Sequence, residues 1–283
     1  MGFSGFTHFT FTVIWLSSQV IFSKDLVMKM RVYLLTVSLM FFSKNSYGRV
    51  FDFNMESIAP YFNVRTGMSQ AGSDPYAWQT STSYGGDEVG LMYGGEFGLY
   101  MRGGGFGFGL GLLVHTYDPV TGGTGSNAGG TQLFSVDSEG ISYGGLVSFD
   151  MQLAQTKTYN WKVSLGGGYE FIKLENTYSY STAGQALSGG QATAIESFKT
   201  AAPFVLLSVG TEFYLSGTTT MNVTAGYHYS MASDWKYGEG GNNFAGAHLQ
   251  EGAAILEDGS ARDVSWSYPF LQIGFQFYVD TVR

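Results

Sequence analysis

Apolar and polar residues alternate along much of this 283-residue chain. Within residues 89–101, the Val, Leu, Tyr, Phe, Leu and Met side chains share one parity, whereas glycines, Met92, Glu96 and Tyr100 share the other. A period of two residues predicts β-strands with one apolar face and one mixed face. Eight segments follow this pattern: residues 57–67, 89–101, 104–117, 141–153, 159–173, 203–215, 219–231 and 267–279.

The connections between these predicted strands alternate in length. Residues 102–103, 154–158 and 216–218 form short connections, whereas residues 68–88, 118–140, 174–202 and 232–266 form long ones. Short turns at one end and long loops at the other are typical of membrane barrels. A soluble β-sandwich is the alternative, but outward faces of Phe, Leu and Val favour lipid. We therefore expect an all-β fold, an eight-stranded antiparallel up-and-down transmembrane barrel with short periplasmic turns and long extracellular loops.

The last predicted strand carries a second signal. Its residues Gln272, Gly274, Phe277 and Val279 have a spacing that resembles the terminal-strand signal by which bacterial outer-membrane barrels are recognised for insertion. Together with the strand pattern, residues 50–283 resemble the small eight-stranded outer-membrane barrels of the OmpA/OmpX type. The resemblance implies a bacterial outer-membrane location and a monomer. It also implies the barrel assembly machinery and periplasmic chaperones as partners.

Composition agrees with a membrane protein. Only 13% of the residues are charged, 17% are aromatic and 41 are glycine, whereas about a quarter of a soluble protein is charged. The chain has no cysteine, and its four histidines are scattered at positions 8, 115, 228 and 248. We therefore predict no metal site and no cofactor.

The N-terminal region reads as a targeting segment. Residues 28–31 are positively charged, residues 32–42 are apolar, and residues 46–48 offer small side chains at the cleavage positions. This predicts an upstream segment plus signal peptide over residues 1–48, with the signal at about 28–48, and a barrel domain over residues 49–283. Two short membrane helices are the alternative. Removing residues 1–48 leaves a formal charge of −11, which argues against a nucleic-acid partner.

The lumen of the predicted barrel contains ionisable residues. An unpaired ion in so narrow an interior is costly, so mutual pairing is expected. Many inward glycines leave room that large side chains of the opposite wall can fill. A lumen filled by a polar network is the prediction, and a narrow cation-preferring channel is the alternative. The residues of this network are Arg65, Glu96, Asp150, Lys162, Glu170 and Glu212.

The predicted surface loops are acidic. They hold fourteen carboxylates, among them Glu139, Glu175 and Glu196, against Lys199, Lys236 and Arg262. This pattern fits a solvated surface, and alternatively divalent cations that bridge carboxylates to lipopolysaccharide. Outer-membrane lipid and lipopolysaccharide are therefore the expected surroundings.

Aromatic residues cluster near the predicted strand ends. They fit two girdles that anchor the barrel at the membrane interfaces. The predicted girdle residues are Tyr93, Tyr117, Tyr143, Tyr159, Trp161, Tyr227, Tyr229, Trp266 and Tyr268.

One short motif raises the question of catalysis. His228 and Ser230 are similar to the His-x-Ser of the lipid A deacylase barrels, and Glu239 would be the acidic partner. The resemblance implies hydrolysis of an acyl ester of lipopolysaccharide at a lipid-facing site. Here Met231 replaces the usual asparagine, and strand parity sends His228 and Ser230 to the lumen. We therefore predict a non-enzymatic protein with a structural or surface-interaction role.

The signal-peptide interpretation predicts a mature N-terminus near Arg49. N-terminal sequencing or intact-mass measurement of the membrane-extracted protein checks this directly. A membrane-extracted protein that still begins at Met1 would refute it.

Overall fold

The computed structural model describes residues 58–69, 83–85, 90–118, 123–156, 158–216, 218–238, 250–252, 256–257, 260–261 and 266–279. The predicted signal segment and Glu239 lie outside these residues. The chain divides at residue 48, and every described residue belongs to the unit Gly48–Arg283.

Eight long antiparallel strands form a closed ring. We number them β1 to β8 in chain order, and each pairs with its neighbours in sequence. The ring closes because β1 also pairs with β8, from Tyr61 opposite Gln276 to Gly67 opposite Phe270. The strands are Ile58–Ser69, Gly90–Gly103, Phe106–Asp118, Gln132–Gln155, Tyr159–Tyr180, Thr193–Ser216, Thr219–Ser230 and Tyr268–Phe277. The predicted eight-stranded up-and-down barrel is confirmed.

The outer face of the ring is apolar. Side chains such as Phe97, Leu110, Phe149 and Leu207 are more than half exposed, whereas their strand neighbours of opposite parity are buried or half-buried. An outward apolar band around a polar lumen is the arrangement of barrels that span a membrane. Among the described residues, no helix is long and apolar enough to cross a membrane.

The turn between β2 and β3 differs from the prediction. The sequence predicts the turn at residues 102–103, but β2 runs to Gly103. Gly104 and Gly105 make the turn instead, with φ values of 59° and 85°. Positive φ at both central residues is the type I′ pattern, which matches the twist of the flanking strands. Arg102 consequently belongs to β2, and its side chain is buried.

Two of the predicted long loops are largely sheet. β4, β5 and β6 have 24, 22 and 24 residues, about twice the 9–11 that a transmembrane strand needs. The β4–β5 turn is at the periplasmic end, so the excess length projects from the extracellular end. The predictions of loops at 118–140 and 174–202 were therefore wrong. The helix Thr182–Leu187, which we call α1, lies between β5 and β6.

Short strands widen this projecting sheet. Gly123–Ser126 pairs with β4, Ser83–Gly85 pairs with Gly123–Ser126, and Lys236–Tyr237 pairs with β6. A separate small pair joins Leu256–Glu257 to Ser260–Ala261. One face of the projecting sheet buries a hydrophobic cluster of Leu133, Phe134, Val136, Tyr178, Tyr180 and Ala194.

The predicted aromatic girdles are partly corrected. Tyr143, Tyr159, Trp161, Tyr227 and Tyr229 are exposed on the outer face, between 37% and 53%. Tyr117, Trp266 and Tyr268, by contrast, are only 1–2% exposed and belong to the hydrophobic core of the barrel. These three side chains fill the extracellular end of the lumen because small residues opposite them leave space there: a Cβ at Gly140, for example, would meet the Trp266 ring.

The topology predicts opposite accessibility for two glycines. A cysteine at Gly129, in the exposed β-turn before β4, is expected to react with a membrane-impermeant maleimide on whole cells. A cysteine at Gly103, where no atom lies within 4 Å of an added Cβ, is expected to react only after lysis because it faces the periplasm. Labelling of the Gly103→Cys variant on intact cells would contradict the orientation.

Candidate functional site

The periplasmic end of the lumen is closed by an ion pair that crosses the barrel. Arg102 on β2 forms a salt bridge with Glu212 on β6, the strand directly opposite in the ring. Glu212 also accepts hydrogen bonds from Thr220 at 2.7 Å and from the Tyr278 hydroxyl at 3.0 Å. Glu212 was predicted from parity, but Arg102 was missed because the turn was placed two residues too early.

Two further ion pairs occupy the middle of the lumen. Arg65 lies 2.9 Å from Glu96, and its guanidinium also donates to Gln272 Oε1 at 2.8 and 3.0 Å. Lys162 lies 2.8 Å from Asp150. These four ionisable side chains are at most 8% exposed, so each charge is neutralised within the protein rather than by solvent.

A polar cavity of about 60 Å³ lies between these pairs. Its walls include Asn63, Ser148, Ser164, Asn222 and Thr224. A space of this size and polarity admits a few water molecules. On one side Leu146, Leu206 and Phe270 also line it.

Stacked rings fill the extracellular half of the lumen. The His228 ring stacks on Tyr268 with centroids 4.6 Å apart and on Phe204 at 4.8 Å. His228 Nε2 lies 3.0 Å from Glu170 Oε1, and the Tyr268 hydroxyl lies 2.9 Å from His115 Nδ1. All five side chains are at most 2% exposed, so this layer packs as a dense core.

Inward glycines make room for the large rings. A Cβ at Gly107 would overlap the Tyr100 hydroxyl, one at Gly168 would meet the Phe204 ring, and one at Gly226 would meet the Phe270 ring. Each glycine thus faces a large side chain that occupies the space. Among the glycines that the sequence left as potential open space, Gly107, Gly111 and Gly168 face aromatic side chains.

The six residues of the predicted polar network all lie inside the lumen. The structure joins Arg65 to Glu96 and Lys162 to Asp150, and it gives Glu170 and Glu212 the partners His228 and Arg102. The sequence counted four carboxylates against two bases. With Arg102 the described lumen holds three bases against the same four carboxylates, so it is less anionic than predicted.

The His-x-Ser motif is not assembled as a catalytic pair. His228 Nε2 contacts Glu170, and Ser230 Oγ makes no hydrogen bond within the described part of the chain. Both side chains face the lumen, at 0% and 7% exposure, and not the lipid. Activation of a serine requires a base within hydrogen-bond reach, which this arrangement does not supply.

The residues of the terminal-strand signal have diverse surroundings. Gln272 binds Arg65, and a Cβ at Gly274 would overlap the Asn63 side chain. Phe277 is the last residue of β8, opposite Thr219, and Val279 is 52% exposed beyond the strand end.

Among the described residues, no cluster of three or more His, Cys, Asp or Glu side chains could hold a metal ion.

Eight strands form a closed ring with an apolar outer belt, and each buried Lys or Arg of the described lumen is paired with a carboxylate. The chain folds as a membrane-spanning β-barrel. No protein-family model matches it, and no curated protein matches it either.

Solved structures of outer-membrane proteins resemble the chain at low sequence identity. A major outer membrane protein from Thermus thermophilus has 15% identity and a TM-score of 0.43, covering 77% of this chain and 99% of that one. OprG from Pseudomonas aeruginosa has 14% identity and a TM-score of 0.41, covering 80% and 98%. Ail from Yersinia pestis has 11% identity and a TM-score of 0.35, covering 80% and 100%.

The ion pair across the barrel makes a testable contribution to stability. Glu212→Gln leaves Arg102 buried without its counter-charge, so we expect a loss of about 3–5 kcal/mol in the free energy of unfolding. Reversible urea unfolding of the refolded protein measures it.

The control is Glu139→Gln, the same change at an exposed strand position, which should stay within about 0.5 kcal/mol. Adding Arg102→Met to Glu212→Gln should recover much of the loss, because the unpaired charge is removed. Equal effects of Glu212→Gln and Glu139→Gln would contradict the assignment.

Proposed function

We propose that this protein is a non-conducting outer-membrane barrel whose role is structural or interactive at the cell surface. The main support is the stacked layer of Phe204, His228 and Tyr268, which fills the described lumen above the small polar cavity. A pore requires a continuous polar path. The described lumen is instead filled by rings above the cavity and by the Arg102–Glu212 pair below it.

The projecting sheet supports the interactive part of the proposal. β4, β5 and β6 continue beyond the membrane as a hydrogen-bonded sheet with its own buried cluster. A hydrogen-bonded sheet with a buried cluster has a defined conformation, so it presents a fixed surface to the outside of the cell. Its expected surroundings are outer-membrane lipid and lipopolysaccharide.

Biogenesis of the barrel belongs to the same proposal. The terminal strand, with Gln272, Gly274, Phe277 and Val279, serves as the signal for the barrel assembly machinery after delivery by periplasmic chaperones. We propose a monomer, because a single chain closes the ring without free strand edges in the belt.

Electrical recording separates this function from the channel alternative. Refolded wild-type protein in a planar bilayer is expected to carry no steady current. The Asp150→Asn/Glu170→Gln variant should also carry none, and it should unfold more easily because Lys162 loses its partner.

Heat-modifiable migration on gels serves as the control that both proteins are folded in the bilayer preparation. Steady cation-selective steps from the wild type that disappear in the variant would establish a channel, since acidic side chains in a pore select cations.

A further inference from the structure

Three lysines form one row across the outer face of the projecting sheet. Lys199 on β6 lies directly opposite Lys173 on β5 and directly opposite Lys236 of the short strand Lys236–Tyr237. Directly opposite residues of antiparallel strands point to the same face, with Cβ atoms about 4.5–5.5 Å apart. The three ammonium groups therefore share one patch, which we call the lysine row.

The row is unfavourable in the absence of a ligand. Like charges directly opposite each other destabilise a sheet, and this row contains two such pairs in succession. The partial compensation comes from Glu175, 3.3 Å from Lys173, and from Glu251, which forms a salt bridge with Lys199. Both carboxylates and both lysines are 42–56% exposed. Exposed pairs of this kind contribute little, so the lysines remain available to another anion.

The positive charges of the described residues are unevenly distributed. Six of the described residues are Lys or Arg. Three of them, Arg65, Arg102 and Lys162, are buried in the lumen with carboxylate partners. The other three are the lysine row, so all the outward positive charge of the described residues is in one place on an acidic protein.

The position of the lysine row along the membrane normal indicates which kind of anion it meets. Phe171 lies two residues below Lys173 on the same face of β5, and it stacks on Tyr143 with ring centroids 5.5 Å apart. Both rings are about half exposed. Exposed Tyr side chains such as Tyr143 are enriched at the level of the lipid headgroups, and two residues of a strand span about 7 Å. The ammonium groups are thus at the level of the headgroup phosphates or just above it.

We propose that the lysine row binds the phosphate groups of an anionic lipid of the outer leaflet. Three adjacent ammonium groups, each with three donors, suit the several oxygens of one or two phosphates. The acyl chains of such a lipid lie against the apolar belt below. This site rests on the proposed surface role, and it differs from carboxylate bridging through divalent cations because it needs no metal.

The test is binding of lipid A that carries both of its phosphates to the refolded full chain in neutral detergent, followed by native mass spectrometry. Lysines near a membrane surface each strengthen anionic-lipid binding about fivefold. The Lys173→Gln/Lys199→Gln/Lys236→Gln variant should therefore bind on the order of a hundredfold more weakly. Unchanged affinity of this variant would overturn the proposal.

Two variants control for charge and for folding. Glu175→Gln removes the carboxylate beside Lys173 and should strengthen lipid binding, whereas a general loss of structure could not. The triple Lys→Arg variant keeps the charges and should bind within a few fold of the wild type. In lipid-free detergent, the triple Lys→Gln variant should be at least as resistant to urea as the wild type, because two like-charge contacts are removed.

Two ligands identify the source of the phosphate. Dephosphorylated lipid A should bind weakly, and with equal affinity, to the wild type and to the triple Lys→Gln variant. Tight binding of dephosphorylated lipid A to the wild type would overturn the recognition of phosphate. Millimolar inorganic phosphate should not displace lipid A. Displacement by inorganic phosphate would mean a site for the free ion and would overturn the lipid assignment. The outcome is independent of the conductance measurement, so the two proposals can fail separately.

Discussion

The structure depends on one constraint: within lipid, every backbone N–H and C=O group must find a partner inside the protein. The pairing of β1 with β8 satisfies this constraint by removing both edges of the sheet. Closure with eight strands also fixes the width of the lumen at about the size that side chains can fill. The internal ion pairs and the complementarity of glycines to rings follow from that width. Arg102 can reach Glu212 across the whole barrel only because the interior is so narrow.

The number of strands and their inward and outward parity could be predicted from the sequence because lipid imposes an apolar residue at every second position. The upper halves of β4, β5 and β6 could not, because outside lipid the outward positions become polar. Asp137 and Glu139 point outward there, while Phe134 and Val136 still point inward. The alternation of side chains therefore persists, but its outward positions are polar instead of apolar. In the sequence such segments resemble acidic loops.

The pairing of individual side chains inside the lumen could not be predicted from the sequence, for a different reason. Parity indicates that Glu212 points inward, but its height relative to β2 depends on the stagger of all the strands between them. Three consecutive glycines at 103–105 also permit more than one turn position. Only the pairing of Gly103 with Phe106 places Arg102 in the strand. The inward aromatic residues Tyr117, Trp266 and Tyr268 were misplaced similarly, because an aromatic residue near a strand end suits an interface and a plugged lumen equally well.

Charge is scarce in this chain, and its placement is informative for that reason. Inside the barrel each buried base has a carboxylate within contact, because an uncompensated ion there would be too costly. On the outer surface an unpaired charge carries no such penalty, because water screens exposed charges. Basic residues there could be dispersed with little loss of stability. Lys173, Lys199 and Lys236 are nevertheless adjacent on three neighbouring strands. Folding alone gives no reason to gather them, whereas a multivalent anion at the membrane surface does.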